Sequence, residues 1–130
     1  KEAAARDPCP PWAVRKRRWL KRIGDVLNDD ALNRRISPLY HTDTMKAPLL
    51  IGHGVNDPRV KIAASERIVK ALRAAGTPVT YIVYPDEGHG FSRSENNQDF
   101  YGRMEEFLGK YLHGRIEPWK KLEGSSAEVR

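Results

Sequence analysis

Two short polar loops carry side chains that could transfer a proton together. The first follows the apolar run at 47–52 (APLLIG), has the sequence HGVNDPRV, and contains Asp57. The second follows residues 79–84 (VTYIVY), has the sequence PDEGHGF, and contains His89 between two glycines. A carboxylate next to an imidazole holds one tautomer, orients the ring and stabilises the imidazolium that forms during acyl transfer. Asp57 and His89 are therefore the candidate acid and base of an acyl-transfer site.

Both loops are expected at one edge of a parallel sheet. The run at 47–52 is typical of a strand buried on both faces, and the β-branched and aromatic run at 79–84 predicts a second strand. A helix predicted over 61–75 separates them, and a strand–helix–strand unit implies a parallel crossover whose following loops share an edge. Taken alone, Asp57 could simply stabilise a turn, and His89 could be an exposed imidazole in a flexible loop. Their shared edge favours catalysis.

The rest of the chain is expected to frame this unit. Three parts are predicted: 1–46 as a loop and basic helical segment, 47–114 as a strand–helix–strand–helix portion, and 115–130 as a polar tail. In the first part, helices are expected over 12–23 and from Asp29 onward. The final helix of the second part is expected over about 97–112. The Gly-Ser-Ser sequence at 124–126 predicts a frayed end.

Other titratable residues could compete with this pair. His53 is a second candidate base, but its place at the end of the strand favours a structural role under the loop. Asp86 and Glu87 are rival acids, yet they lie too close in sequence to His89 to approach its ring from the sheet side. No two histidines have helical metal-ligand spacing, so neither a metal nor a cofactor is predicted. Two further histidines are expected to be solvated, His41 and His113.

Composition and charge narrow the class of protein. With 39% hydrophobic and 31% charged residues, the chain is expected to be a soluble globular protein without a membrane partner. The net charge of +6 is concentrated in the basic run at 15–22 (RKRRWLKR). This run leaves open a non-catalytic basic interaction module, although no recognised nucleic-acid-binding motif accompanies it, so no nucleic-acid partner is expected. No signal peptide is visible, which favours a cytoplasmic location, and the start at Lys1 indicates a truncated N-terminus.

The two loops resemble those of the prolyl oligopeptidase family of serine peptidases. The resemblance lies in residues 46–51 (KAPLLI), 53–60 (HGVNDPRV) and 84–91 (YPDEGHGF), together with the last helix, and covers about 10–114. It is closest to the dipeptidyl aminopeptidase and acylaminoacyl-peptidase-like branch. It implies an α/β fold, the C-terminal portion of an α/β-hydrolase domain with parallel strands and flanking helices. It also implies a peptide substrate, with Asp57 orienting His89 and His89 acting as general base and then general acid.

The chain departs from this family pattern at the nucleophile. None of its six serines lies in a G-x-S-x-G turn, where the attacking serine of an α/β-hydrolase would sit before the acid and the base. The expectation is a fragment that needs the upstream half of the hydrolase domain as its partner and is inactive alone, because it lacks a nucleophile and oxyanion donors. An esterase-type α/β-hydrolase fragment is the close alternative.

Overall fold

The computed structural model describes residues 22–26 and 28–130. The chain divides into two units, residues 1–40 and 41–130. Apart from their last residues, the helix predicted over 12–23 and the basic run at 15–22 lie outside the described residues. Within the part of the chain that is described, no helix combines the length and the apolar character needed to cross a bilayer.

The first unit contains the short helix predicted near its end. Helix α1 spans Asp30–Ile36, and the Asp29 side chain caps it by accepting the N–H of Leu32 at 2.8 Å. An acidic first turn and a basic last turn both suit the helix dipole. Ser37 ends the helix in an extended conformation, and a 3-10 helix follows at Pro38–His41. The predicted short helix is therefore confirmed.

The second unit is built on a three-stranded sheet. Strands β1 (Leu49–Gly54) and β2 (Val79–Tyr84) pair in parallel, from Leu49 opposite Val79 to Gly54 opposite Tyr84. Strand β3 (Glu128–Val129) pairs antiparallel with β2, giving the order β1-β2-β3. The parallel pair confirms the predicted crossover, and it places the ends of β1 and β2 side by side.

Two helices cover the two faces of β2. Helix α2 (Ile62–Ala74) connects β1 to β2, and its Val69 packs with Tyr81 and Val83. Helix α3 (Ser94–Leu112) lies against the opposite face, where the Tyr84 hydroxyl donates to the Asp99 carboxylate at 2.9 Å. This is the arrangement that a strand with almost no polar residues requires, since both of its faces are buried.

Two boundary expectations were wrong. Helix α3 begins at Ser94 rather than near 97, because the backbone becomes helical directly after Arg93, whose N–H is bound by the side chain of Glu87. The chain also does not fray beyond 124, because the N–H of Arg130 donates to the carbonyl of Tyr81 at 2.9 Å and β3 extends the sheet. An open strand edge offers unpaired backbone groups, and the last residues satisfy some of those on β2.

Candidate active site

The loops after β1 and β2 bring the predicted acid and base into contact. The Nδ1 atom of His89 lies 2.8 Å from the Oδ2 atom of Asp57, a hydrogen bond between residues 32 positions apart in the chain. The Asp57 side chain is 9% exposed, whereas that of His89 is 45% exposed. One side of the imidazole is thus fixed by a largely buried carboxylate, while the rest of the ring stays accessible.

Backbone groups of its own loop also bind the carboxylate of Asp57. Its Oδ1 atom accepts the backbone N–H groups of Arg59 at 2.7 Å and Val60 at 2.9 Å. Burial of the carboxyl raises its pKa, but the N–H of Val60 and the hydrogen bond to His89 lead the effects that outweigh it. The pKa of Asp57 is lowered from 3.8 to about 2. The carboxylate is therefore ionised throughout the neutral range and can stabilise an imidazolium.

This lowered pKa predicts a pH-dependent contribution to stability. Because the pKa of folded Asp57 (about 2) lies below its ordinary value of 3.8, its contribution is complete above pH 3.8 and is lost as the pH falls through about 2. The contribution is about 1 to 2 kcal/mol. Urea unfolding should show Asp57→Asn less stable than the unmodified chain by this amount at pH 5, with the difference shrinking toward pH 2. A difference that stays constant over this range would contradict it.

His53 lies beneath the acid loop, as predicted. Its Nε2 atom is 3.0 Å from the carbonyl oxygen of Val60, and its Nδ1 atom is 2.7 Å from the hydroxyl of Ser65. Since a carbonyl can only accept, Nε2 carries the proton and Nδ1 accepts from the hydroxyl. His53 is 7% exposed and both ring nitrogens are engaged, so it supports the loop that holds Asp57 rather than competing with His89.

Glu87 is fully buried and is not a rival of Asp57. Its carboxylate accepts the N–H groups of Ser92 and Arg93 at 2.8 and 3.0 Å and the side-chain amide of Asn96 at 2.8 Å. Burial raises the pKa of Glu87, but the N–H of Ser92 and the amide of Asn96 lead the effects that lower it below its ordinary value. Ser92 and Arg93 directly precede α3, and a carboxylate next to the N-terminus of a helix is also favoured by the helix dipole.

The second rival acid, Asp86, also faces away from the imidazole. Its carboxylate bonds the guanidinium of Arg93, the amide of Asn96 and the hydroxyl of Ser126. Sequence reasoning excluded Asp86 and Glu87 as partners of His89 correctly. It missed that both residues anchor the loop, because the signal lies in helix α3 and in the last residues rather than in the loop sequence.

Backbone contacts join the two loops directly. The N–H of Asn56 donates to the carbonyl of Glu87 at 2.9 Å, and its side-chain amide donates to the carbonyl of Pro85 at 2.8 Å. Gly54 permits this approach, because a Cβ there would lie 2.6 Å from the carbonyl carbon of Glu87 and closer still to the carbonyl oxygen of Gly88. The spacing between Asp57 and His89 therefore depends on a glycine at the end of β1.

Replacing Gly54 by alanine is expected to destabilise the protein by about 3 kcal/mol, because the added methyl meets backbone atoms that cannot rotate away. Gly114→Ala is the matched control, since a Cβ at Gly114 meets nothing within 4 Å. Urea unfolding of both variants measures the free energies of unfolding. Equal stabilities for the two variants would show that the loops separate without cost.

The remaining histidines are exposed and belong to other elements of the fold. His41 ends the 3-10 helix, and His113 lies just beyond α3 in a left-handed conformation with φ of 57°. Across residues 22–26 and 28–130, no group of three His, Cys, Asp or Glu side chains is arranged to hold a metal ion.

Comparison with known proteins relates this geometry to peptidases and hydrolases. The model of the prolyl oligopeptidase family matches residues 11–115. Dipeptidyl aminopeptidase BIII of Pseudoxanthomonas mexicana is 51% identical over 124 residues, which are 92% of this chain and 18% of that protein.

Solved structures relate the fold in the same way. The structure of a puromycin hydrolase superposes with a TM-score of 0.61 at 24% identity, covering 73% of this chain and 14% of the other. Esterase 2 of Thermogutta terrifontis, phosphorylated by paraoxon, superposes with a TM-score of 0.53 at 26% identity, covering 66% of this chain and 34% of the other. The chain thus spans less than a fifth of its peptidase relative, and its fold is part of an α/β-hydrolase fold. Because the family model matches most of the sequence, the chain belongs to the prolyl oligopeptidase family of serine peptidases.

Proposed function

We propose that the chain supplies the acid and the base of a serine peptidase, Asp57 and His89. The observation that carries the proposal is the hydrogen bond from Nδ1 of His89 to a carboxylate whose pKa lies near 2, with the imidazole 45% exposed. Since Nδ1 is bound to Asp57, Nε2 is the nitrogen left to take a proton from a hydroxyl. This is the division of labour within a Ser-His-Asp triad.

In the proposed reaction, a serine from an upstream half of the hydrolase domain attacks the peptide carbonyl. His89 removes the proton of its hydroxyl and then returns a proton to the leaving amine, so that an acyl-enzyme forms. Water attacks the acyl-enzyme in a second step, with His89 again as base. Asp57 stays ionised throughout and stabilises the imidazolium in both steps.

A chimera tests this proposal. Replacing the matched part of the Pseudoxanthomonas mexicana enzyme by this chain joins Asp57 and His89 to a complete upstream half, and 51% identity over 124 residues makes the exchange feasible. The chimera should react with a serine-directed fluorophosphonate and release a dipeptide from a dipeptidyl anilide. A folded chimera that shows neither activity would contradict the proposal. The chain alone is expected to show neither.

An esterase is the second candidate. The 26% identity to an esterase that was captured phosphorylated favours it, because ester and peptide hydrolysis share the same acyl-enzyme chemistry. The ratio of kcat/KM for a p-nitrophenyl ester to that for a peptide anilide distinguishes the two in a protein that retains its own upstream part. Turnover of esters without any turnover of peptides would replace the peptidase proposal. The basic interaction module depends on residues 15–22, nearly all of which lie outside the described part of the chain.

A further inference from the structure

The last residues of the chain return to the loop that carries His89. We call residues 85–93 the histidine loop and residues 124–130 the C-terminal segment. The N–H of Ser126 donates to Oδ1 of Asn96 at 2.9 Å, and its hydroxyl donates to Oδ1 of Asp86. Strand β3, two residues further on, fixes the C-terminal segment to β2. The segment lies beyond residues 11–115, which the family model matches.

Asp86 is the point where both ends of the histidine loop meet. Its Oδ1 atom also accepts the side-chain amide of Asn96 at 3.0 Å, and its Oδ2 atom accepts the guanidinium of Arg93 from the far end of the loop. The guanidinium reaches the C-terminal segment as well, donating to the carbonyl of Gly124 at 3.0 Å. One carboxylate thus connects the first residues of the loop, its last residue and the C-terminal segment.

Among the groups that bind the carboxylate of Asp86, the hydroxyl of Ser126 is important for holding it in place. The side chains of Arg93 and Asp86 are 45% and 33% exposed, and ion pairs this exposed contribute little by themselves. Asn96 is fully buried, and its amide is also held by the carboxylate of Glu87 at 2.8 Å. The hydrogen bond from Ser126 is also the largest influence that lowers the pKa of Asp86. Ser126 therefore fixes the carboxylate against a rigid partner.

Between its anchored ends the histidine loop contains two glycines. His89 lies between Gly88 and Gly90, and Gly90 has a φ of 95° with open space around its Cα. Glycines leave the backbone free to adopt many conformations, so the position of the imidazole depends on how firmly the ends of the loop are held. Glu87 holds the loop against α3 by accepting the side-chain amide of Asn96 at 2.8 Å. Asp86 is held by Ser126 together with Asn96.

We propose that Ser126 is a positioning residue for His89, acting through Asp86 to keep the histidine loop at its distance from Asp57. This proposal rests on the proposed function, in which His89 is the base. It gives the C-terminal segment an indirect part in the reaction, through Asp86. Misplacing a catalytic group by about 1 Å can cost about 100-fold in rate, so partial loosening of the loop should be measurable.

The test uses the active chimera described above with Ser126→Ala and Ser126→Thr. Ser126→Ala is expected to lower kcat by about 3- to 10-fold with KM within about twofold, because the substrate still binds but the base is less often in place. Ser126→Thr keeps the hydroxyl and should restore kcat. Ser125→Ala is the matched control, since the hydroxyl of Ser125 contacts the N–H of Ala127 within the C-terminal segment.

Hydrogen–deuterium exchange of the histidine loop gives a second readout in the same protein. Ser126→Ala, and a truncation that removes residues 127–130 and hence β3, should both speed exchange over 85–93, whereas Ser125→Ala should not. Unchanged kcat and unchanged exchange in both variants would overturn the proposal. A kcat that does not depend on His89 would instead overturn the proposed function, while the exchange data still report whether the C-terminal segment holds the loop.

Discussion

Replacing His89 by alanine should lower kcat by about 10⁴-fold or more in a peptidase that contains this chain, with KM little changed. Without the imidazole, nothing removes the proton from the attacking hydroxyl, and the leaving amine receives none. The residual rate would come from substrate binding and oxyanion stabilisation by the rest of the domain. The measurement is steady-state hydrolysis of a dipeptidyl anilide by the chimera, together with the rate of fluorophosphonate labelling, which should fall in parallel.

His113→Asn is the matched control for this experiment. His113 is an exposed imidazole beyond α3 with a φ of 57°, and asparagine tolerates that left-handed conformation. Its loss removes one histidine without touching the loops and should leave kcat unchanged. If the His89 variant kept full activity while its fold was intact, His89 would have no place in the mechanism.

Replacing Asp57 by asparagine should lower kcat by about 10⁴-fold without unfolding the loop. The N–H groups of Arg59 and Val60 require an acceptor, so the amide oxygen takes the place of Oδ1. The amide nitrogen of the new asparagine then faces Nδ1 of His89. Because an amide nitrogen can only donate a hydrogen bond, Nδ1 must accept it, and the proton of the imidazole moves to Nε2. The base then carries a proton on the nitrogen that should accept one, and a fixed negative charge is also lost.

Asparagine is preferred to alanine at position 57 because it separates an effect on catalysis from an effect on stability. Asp57→Ala would also leave the two backbone N–H groups without a partner and would confuse loss of stability with loss of catalysis. Asp29→Asn is a matched control, because asparagine caps a helix about as well as aspartate does at the start of α1. Near-normal kcat in a folded Asp57→Asn variant would show that the tautomer and charge of His89 do not depend on Asp57.

Much of the fold was predictable because its signals are local. The apolar run at 47–52 and the β-branched run at 79–84 predicted β1 and β2, and the helical pattern between them predicted α2. A glycine with a φ of 77° at position 76 marks the end of α2. Parallel pairing then follows from the connection, and with it the shared edge that brings Asp57 to His89.

The sequence could not predict contacts that form only when the chain folds. Glu87 was treated as a rival acid, yet it is fully buried, where it accepts the N–H groups of Ser92 and Arg93 just before α3 and the side-chain amide of Asn96 in its first turn. The apolar pattern also placed the start of α3 three residues too late, because the contacts of Glu87 with Ser92 and Arg93 before the helix leave no signal in the periodicity.

The candidate acid and base, Asp57 and His89, could be predicted from the sequence itself, through residue type and position after two strands. What holds them together was decided by the tertiary structure. Gly54 lets two backbones meet, and Ser126 reaches Asp86 across 40 residues. The frayed end expected from Gly-Ser-Ser proved to be an ordered segment, because an open strand edge and a buried amide stabilise it more than its own composition indicates. Composition describes a segment alone, whereas its order depends on the partners that folding brings to it.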